Sequence, residues 1–527
     1  MSELLYLAMK KLSWILGVAC FFTLAALFHF LTLNISDADS FYHIRHAWLY
    51  RTEGLFQSEF PWVTASVISS LASDLWYGFH LLLIPFTYTS DLIVGIKIAG
   101  VFLTAVTLLI FYLTLKKLLI AFPMFWTLLL FFATPDLNFR LTMTRPHLLT
   151  LALSTALIYF LSSPRSLIAI FLSSAALIFF HLALGWLPVL IFIVITAVKL
   201  FLRYRFEWRQ LVAFILGGLL GITLRPNFLN ALKLAYIQVV DLLREKLKEL
   251  PIRIGAELKS VDWSIFFYQM LPVLLLLTAA AIILVILLRK RRFQNMQELM
   301  RIALAASLIL SIIFGILTGF VARRSMDLWV AYSLIFIGLV FTHFRNQTNF
   351  LADYRWLIYG APLLVIAVMP FNALHFASLY HRQAIAPDKF KEVSLWLKEN
   401  ARAGEVVFNL HWDNFPMLFF WNQKNYYING MDPIFEYAFN QGLYWKNYFL
   451  DVDTFYLRDG KGYTCPQVRC TDELTVPIYE TLKNDFKASY VFIEQRRNPK
   501  FYSYLENESL FQKLFETNKK EAVFKIL

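Results

Sequence analysis

The chain has 527 residues, of which 58% are hydrophobic and only 16% charged, and its formal net charge is +13. A mean hydropathy of +0.57 excludes an ordinary soluble globular protein and implies a polytopic membrane protein. The positive charge does not mark a nucleic-acid binder, because the basic residues fall in short loops between apolar stretches.

About eleven stretches have the roughly 17–25 residues that cross a bilayer. They lie near 12–33, 92–115, 118–134, 147–162, 167–184, 186–202, 210–225, 265–288, 301–320, 328–344 and 357–376. Lys10 and Lys11 precede the first, and no small-x-small cleavage site follows it, so it reads as an uncleaved signal anchor with a cytoplasmic N-terminus. The inside loops then carry Lys116, Lys117, Arg165, Lys199, Arg203, Arg205, Arg209, the run Arg289–Arg292, Arg345 and Arg355. This agrees with the positive-inside rule and places the polar tail, from about 378 onward, outside a cytoplasmic membrane.

The first outer stretch, 34–91, holds apolar patches too short or too polar to span, which predicts interfacial amphipathic helices. It opens with Ser36-Asp-Ala-Asp39, a capping-box-like start for a helix that Gly54 ends. On such a helix Asp39, His43 and His46 share one stripe, and Phe41, Ile44 and Trp48 another. Two readings of the carboxylates stand level. They hold a divalent metal or take a proton from a hydroxyl, or they only cap the helix. His43 and His46 are expected at the membrane interface.

The turn from Thr134 to His147 carries Asp136, Arg140 and Arg145. His181 marks another outer hairpin, and Arg225, Arg323 and Arg324 end two further spans on the same side. Arginine at outer span ends runs against the orientation rule. A bidentate grip on an anionic ligand accounts for it, and so does snorkelling to headgroups. Arg323 and Asp327 are four apart, so a simple pair between them is a further alternative. Residues 227–264 mix Asp241, Arg244, Glu245, Lys246, Lys248 and Glu249 at helical spacing, which predicts a surface helix.

In the tail the spacing predicts an amphipathic helix over 388–401, closed by Gly404, and strands over 405–410 and 488–493. Together they predict a small α/β domain. His411-Trp-Asp-Asn-Phe-Pro416 follows the first strand, where such domains place ligand contacts, although an Asx-type turn explains it equally. Cys465 and Cys470 suit a small disulfide loop better than a metal site. No phosphate-cradling glycine loop, dinucleotide fingerprint or serine-hydrolase element is present, which removes support for ATP-driven transport and serine chemistry.

The plan of an acidic motif after the first span, many further spans and a soluble outer domain resembles the GT-C membrane glycosyltransferases. Within them it is similar to the oligosaccharyltransferase catalytic subunit and its bacterial relatives. Asp37-Ala-Asp39 with Phe-Tyr-His-Ile-Arg45 resembles that family's first-loop motif. Arg323 and Arg324 fall where the family keeps an outer arginine, and Ile428-Asn-Gly-Met-Asp-Pro433 is similar to segments of its tails. The resemblance implies a GT-C-like transmembrane domain over 1–377 and an extracytoplasmic α/β domain over 378–527. It implies Asp37 and Asp39 as catalytic carboxylates, with Mg or Mn at Asp37, Asp39 and His43.

The phosphate of a polyprenyl-linked sugar donor is then expected at Arg225, Arg323, Arg324, Arg140 and Arg145. The acceptor (lipid, glycan or protein) is expected at Trp412, Asp413 and His181. The oligosaccharyltransferase hallmark Trp-Trp-Asp-Tyr-Gly is reduced here to His411-Trp412-Asp413-Asn414-Phe415, and the second outer loop offers Asp136 in place of an acidic pair. The implied class is therefore sugar transfer from a lipid-linked donor rather than sequon-directed protein glycosylation. A transporter or flippase of lipid-linked saccharides is the alternative. It would line the membrane midplane with charge, whereas the mid-span stretches here are apolar.

Overall fold

The computed structural model describes residues 3–56, 59–164, 166–248, 252–289, 296–346, 355–458, 461–464 and 476–527. Arg165, the basic residues 290–292 and the expected Cys465–Cys470 loop lie outside the described residues. In chain order the helices are α1 (Glu3–His29), α2 (Asp39–Glu53), α3 (Val67–Leu71), α4 (Tyr77–Leu83), α5 (Leu92–Lys117), α6 (Pro123–Phe132), α7 (Pro135–Leu141), α8 (His147–Ser162), α9 (Leu167–Phe180), α10 (Trp186–Phe201), α11 (Trp208–Thr223), α12 (Phe228–Tyr236), α13 (Leu242–Leu247), α14 (Trp263–Arg289), α15 (Glu298–Phe320), α16 (Met326–Arg345) and α17 (Arg355–Gln383). The tail adds α18 (Lys391–Asn400), α19 (Phe415–Trp421), α20 (Pro433–Phe439), α21 (Gln441–Asp451), α22 (Ile478–Glu480) and α23 (Pro499–Asn507). Each of the predicted spans contains a helix.

Two compact units are distinguished: Met1–Ser36, Val94–Leu224 and Ala256–Ala384 form the first, and Asp37–Ile93, Arg225–Gly255 and Ile385–Leu527 the second.

The first unit is helical. Among the described residues, five helices are long and apolar enough to cross a membrane: Leu92–Lys117, Leu182–Phe201, Phe266–Arg289, Glu298–Phe320 and Arg323–Arg345. α6, α8 and α9 are shorter apolar helices. The expected span over 118–134 shrinks to the ten residues of α6, because Leu119 and Phe122 take left-handed φ values of 60° and 57° and Pro123 starts the helix afresh. α16 is buried on nearly every face. α9 and α11 meet backbone to backbone: a Cβ on Gly217 would lie 2.2 Å from the Phe171 carbonyl oxygen, and one on Gly221 2.4 Å from that of Ala175. Small residues at a helix contact allow this approach, which side-chain packing alone would prevent.

The second unit holds the sheets. Strands β1 (Val406–Phe408), β2 (Tyr426–Tyr427), β3 (Tyr456–Arg458), β4 (Lys461–Thr464), β5 (Val476–Pro477), β6 (Ala488–Glu494), β7 (Phe511–Glu516) and β8 (Glu521–Ile526) form a five-stranded sheet of order β2-β1-β6-β8-β7 and a three-stranded sheet of order β3-β4-β5. β1 runs parallel to both β2 and β6, and β8 is antiparallel to β6 and β7. β6 is Ser-Tyr-Val-Phe-Ile rich and buried along most of its length, as an interior strand requires. Phe408, Ile428, Val491, Ile493, Phe501 and Phe524 join one core. The loop after α2 extends this sheet: Thr64 N donates to Tyr427 O and Tyr427 N to Trp62 O, both at 2.8 Å.

Candidate functional site

In the first unit the arginines at the span ends converge on carboxylates. α7 begins at Pro135, with Thr134 capping it by accepting from Leu137 N, and presents Asp136 and Arg140. Arg140 Nε donates to both Asp327 oxygens at 2.9 Å, and its Nη1 donates to Glu257 Oε2 at 2.9 Å. Arg145 Nη1 reaches the same Glu257 oxygen at 2.9 Å. Arg323 does not pair with Asp327, its neighbour four residues on. It grips Asp136 through Nε at 2.9 Å and Nη2 at 2.8 Å, while Arg323 N donates to Lys259 O at 2.9 Å. A tertiary partner that accepts two bonds outweighs a one-turn pair worth a few tenths of a kcal/mol.

Arg324 acts on Glu257 electrostatically. His181 lies within the field of Arg324 and Arg145, and its Nδ1 meets Thr150 Oγ1 at 2.9 Å. Burial alone would raise the Glu257 carboxyl, but Arg145, Arg140 and Arg324 hold it below the usual carboxylate range. Four guanidiniums therefore face three carboxylates in this cluster. The excess of positive charge suits an anionic group such as phosphate. Glu257 escaped the sequence reading because it sits in a polar loop that reads as surface.

The second unit carries Asp37 and α2. The capping box does not form. Ala38 is the N-cap residue, no side-chain cap is made, and Ser36 Oγ instead meets Thr142 Oγ1 at 2.9 Å within the first unit. Ser40 Oγ donates to Asp37 Oδ1. Asp39 opens α2, and Gly54, at φ 118°, closes it as expected. His43 and His46 are not interfacial: they are 2% and 7% exposed. The reason is that α4 and α19 cover α2, with Phe41 against Phe420 at 5.2 Å and His43 against Phe79 at 5.1 Å between ring centroids.

Behind α2, Asp74 is a hub. Its Oδ2 accepts from His80 Nδ1 at 2.6 Å and from Tyr50 OH at 2.8 Å, and its Oδ1 accepts from Trp76 N at 2.8 Å. His80 Nε2 in turn meets His43 Nδ1 at 2.8 Å. Burial would raise the Asp74 carboxyl, yet His80 and His46 hold it below its ordinary range. Burial, with His80 beside it, lowers His46 to about 3, so its ring is neutral. Arg225 Nη1 donates to Leu75 O at 3.1 Å and Asp74 O at 3.4 Å, anchoring this loop. Asp74 and His80 were not identified from sequence. They lie far from His43 along the chain, and only the packing of α4 on α2 unites them.

In the tail, Trp412 and Asp413 occupy a one-turn 3-10 helix, Trp412–Asn414. Asp413 pairs with Arg497 at 3.0 Å. Around them Asn409 ties β1 to β2, donating to Asn429 Oδ1 at 3.0 Å and accepting from Ile428 N at 3.1 Å. His411 Nε2 donates to Asn498 Oδ1 at 2.5 Å and its Nδ1 contacts Asp451. These residues follow β1, β2 and β6 at the carboxyl edge of the parallel strands, as the sequence reading expects.

Two carboxylates, Asp37 and Asp39, are the oxygen donors a hard cation such as Mg or Mn takes. The sequence reading adds His43 to them, and its Nδ1 is turned to His80. Among the described residues, the three whose ligand atoms gather within 4.8 Å of one another are His46, Asp74 and His80, and not Asp37, Asp39 and His43.

No family model matches the chain, and no curated protein matches its sequence. The fold does match. The structure of ArnT from Cupriavidus metallidurans in the apo state superposes with a TM-score of 0.54 over 98% of each chain, at 11% identity. The chain therefore has an ArnT-like GT-C fold, apolar helices with a C-terminal α/β region.

Proposed function

We propose that the chain is a glycosyltransferase that moves a sugar from a polyprenyl-phosphate-linked donor to an acceptor at the outer face of a cytoplasmic membrane. The observation that carries this reading is the arginine cluster Arg140, Arg145, Arg323 and Arg324 around Glu257 in a chain of GT-C fold. In the reaction, an acceptor hydroxyl oxygen bonds to the anomeric carbon as the bond from that carbon to the phosphate oxygen breaks. The electron pair leaves on the phosphate, and the hydroxyl proton passes to Asp37. A leaving phosphate needs no general acid, because positive charge stabilises it directly. The guanidiniums supply that charge, with Arg225 a further candidate. Inversion at the anomeric carbon is what the family resemblance implies.

Asp37 and Asp39 are the residues that would hold Mg or Mn. Such an ion would lower the barrier by drawing charge from an oxygen it touches. Trp412, Asp413 and His181 are proposed to contact the acceptor, and the N-terminus is proposed to face the cytoplasm.

The test is mass spectrometry of glycolipids and glycoproteins from cells with and without the gene. The proposal expects one species to lose a sugar while its polyprenyl-phosphate donor accumulates. Unchanged glycans and donor pools would refute it.

A further inference from the structure

We infer that His46, Asp74 and His80 form a zinc-type divalent metal site that staples α4 to α2. The inference does not depend on sugar transfer. It rests on how each ligand is held. Two imidazoles and a carboxylate make a donor set typical of zinc and its first-row neighbours. The ligand atoms lie within 4.8 Å of one another, with His46 Nε2 at 4.0 Å from Asp74 Oδ2. That separation is too long for a hydrogen bond. Ligands on a tetrahedral zinc at its usual bond lengths stand about 3.3 Å apart, so closing around an ion needs only small movements.

The partners behind the ligands complete the argument. A metal-binding histidine donates its other ring N–H to a fixed acceptor. His46 Nδ1 meets Tyr42 OH at 2.9 Å, leaving Nε2 toward Asp74. His80 Nε2 meets His43 Nδ1 at 2.8 Å, leaving Nδ1 toward Asp74. Without an ion, the His80–Asp74 contact of 2.6 Å is a hydrogen bond with the proton on Nδ1. On binding, that proton moves to Nε2, which donates to His43 Nδ1, and His43 then carries its own proton on Nε2 in place of Nδ1. Trp76 N fixes the other Asp74 oxygen at 2.8 Å, and Tyr50 OH donates to Oδ2 at 2.8 Å. The side chains of His46, His80 and Asp74 are 9%, 0% and 8% exposed, so the site is shielded from water. Its location gives it a purpose: α2 begins at Asp39, and the staple fixes the helix that follows the Asp37-Ala-Asp39 motif.

The test uses the full-length chain in detergent, stripped with a chelator and titrated with Zn2+ against a chromophoric competitor, with metal content counted by mass spectrometry. The expected result is one tightly held zinc per chain. His46→Gln, Asp74→Asn and His80→Gln should each weaken it well beyond tenfold. Tyr42→Phe, which removes only a supporting partner, should weaken it by about 10–100-fold. Asp37→Asn should leave zinc binding unchanged even where it abolishes transfer, which separates this site from the proposed catalytic carboxylates. Where a variant does not fold, the visible spectrum of the Co2+-loaded wild type decides. Strong d–d bands of a four- or five-coordinate ion support the site, and the weak spectrum of an octahedral ion overturns it. Zinc content near zero in the wild type, or unchanged in both Asp74→Asn and His80→Gln, would also overturn it.

Discussion

Glu436 offers a sharp test of the electrostatics in the tail. The residue is 2% exposed, Oε2 accepts from Asn429 Nδ2 at 2.9 Å and Asn447 Nδ2 at 3.1 Å, and Oε1 has no hydrogen-bond partner among the described residues. Burial pushes its carboxyl up from 4.5 to about 8, the two amides offset this only in part, and Asp451 adds to it. The unfolded chain therefore releases this proton above pH 4.5 while the folded chain keeps it until about pH 8. Between those values the folded state binds more protons, so stability falls as pH rises and levels off above pH 8.

At about 1.36 kcal/mol per pH unit, the loss reaches about 3 kcal/mol at pH 7 and about 5 kcal/mol at pH 9. Glu436→Gln keeps the acceptor for both asparagines and removes the titration, at a cost of about 1–3 kcal/mol for an amide left without a partner. The assay is thermal unfolding of the full chain in detergent, followed by tryptophan fluorescence from pH 5 to 9. The wild type should lose stability across this window more steeply than the variant, and above pH 8 the variant should be the more stable. Parallel pH profiles would refute the assignment of a neutral buried carboxyl.

Three further outcomes follow from the packing. Gly217→Ala and Gly221→Ala should each cost about 1–3 kcal/mol or more, because the new methyl collides with α9 backbone; an unchanged melting temperature would contradict the close helix contact. Lys97→Met removes the Nζ donor to the carbonyls of His29 at 2.8 Å, Thr32 at 3.2 Å and Asn34. The loss should be about 2–4 kcal/mol, read as a lower melting temperature that Lys97→Arg partly restores. Glu257→Gln removes the negative charge between Arg140 and Arg145 while leaving an amide oxygen to accept from them, and calorimetry should show inorganic phosphate binding about tenfold tighter, roughly the worth of one charge-assisted bond. Equal or weaker binding would contradict the anion-site reading.

What could be read from the sequence divides along physical lines. Apolar stretches are legible without their partners, so each predicted span contains a helix, although among the described residues five of these helices are long and apolar enough to cross a membrane, and the β-favouring apolar runs over 405–410 and 488–493 correspond to β1 and β6. α18 was readable from its amphipathic spacing and Gly404. The failures involve partners distant in sequence. Arg323 has a carboxylate one turn away, and only the fold reveals that Asp136 is the better one. Ser36 looked like a cap and is taken by Thr142. His43 and His46 have the amphipathic look of interfacial residues, but α4 and α19 bury them. Asp74 and Glu257 sit in connecting segments whose local composition says only that they are polar, and His80 sits on the short apolar helix α4, which nothing local links to α2. Their roles arise when tertiary packing brings opposite charges together.

Turnover of the donor tests the central claim most directly. Membranes carrying the wild-type chain are supplied with a polyprenyl-phosphate-sugar pool, and released polyprenyl phosphate is quantified by mass spectrometry. Asp37→Asn should lower the release by about 10²–10⁴-fold, the contribution of a positioned base, while the protein stays folded and abundant. Release at the wild-type rate by a folded Asp37→Asn chain would contradict the proposal.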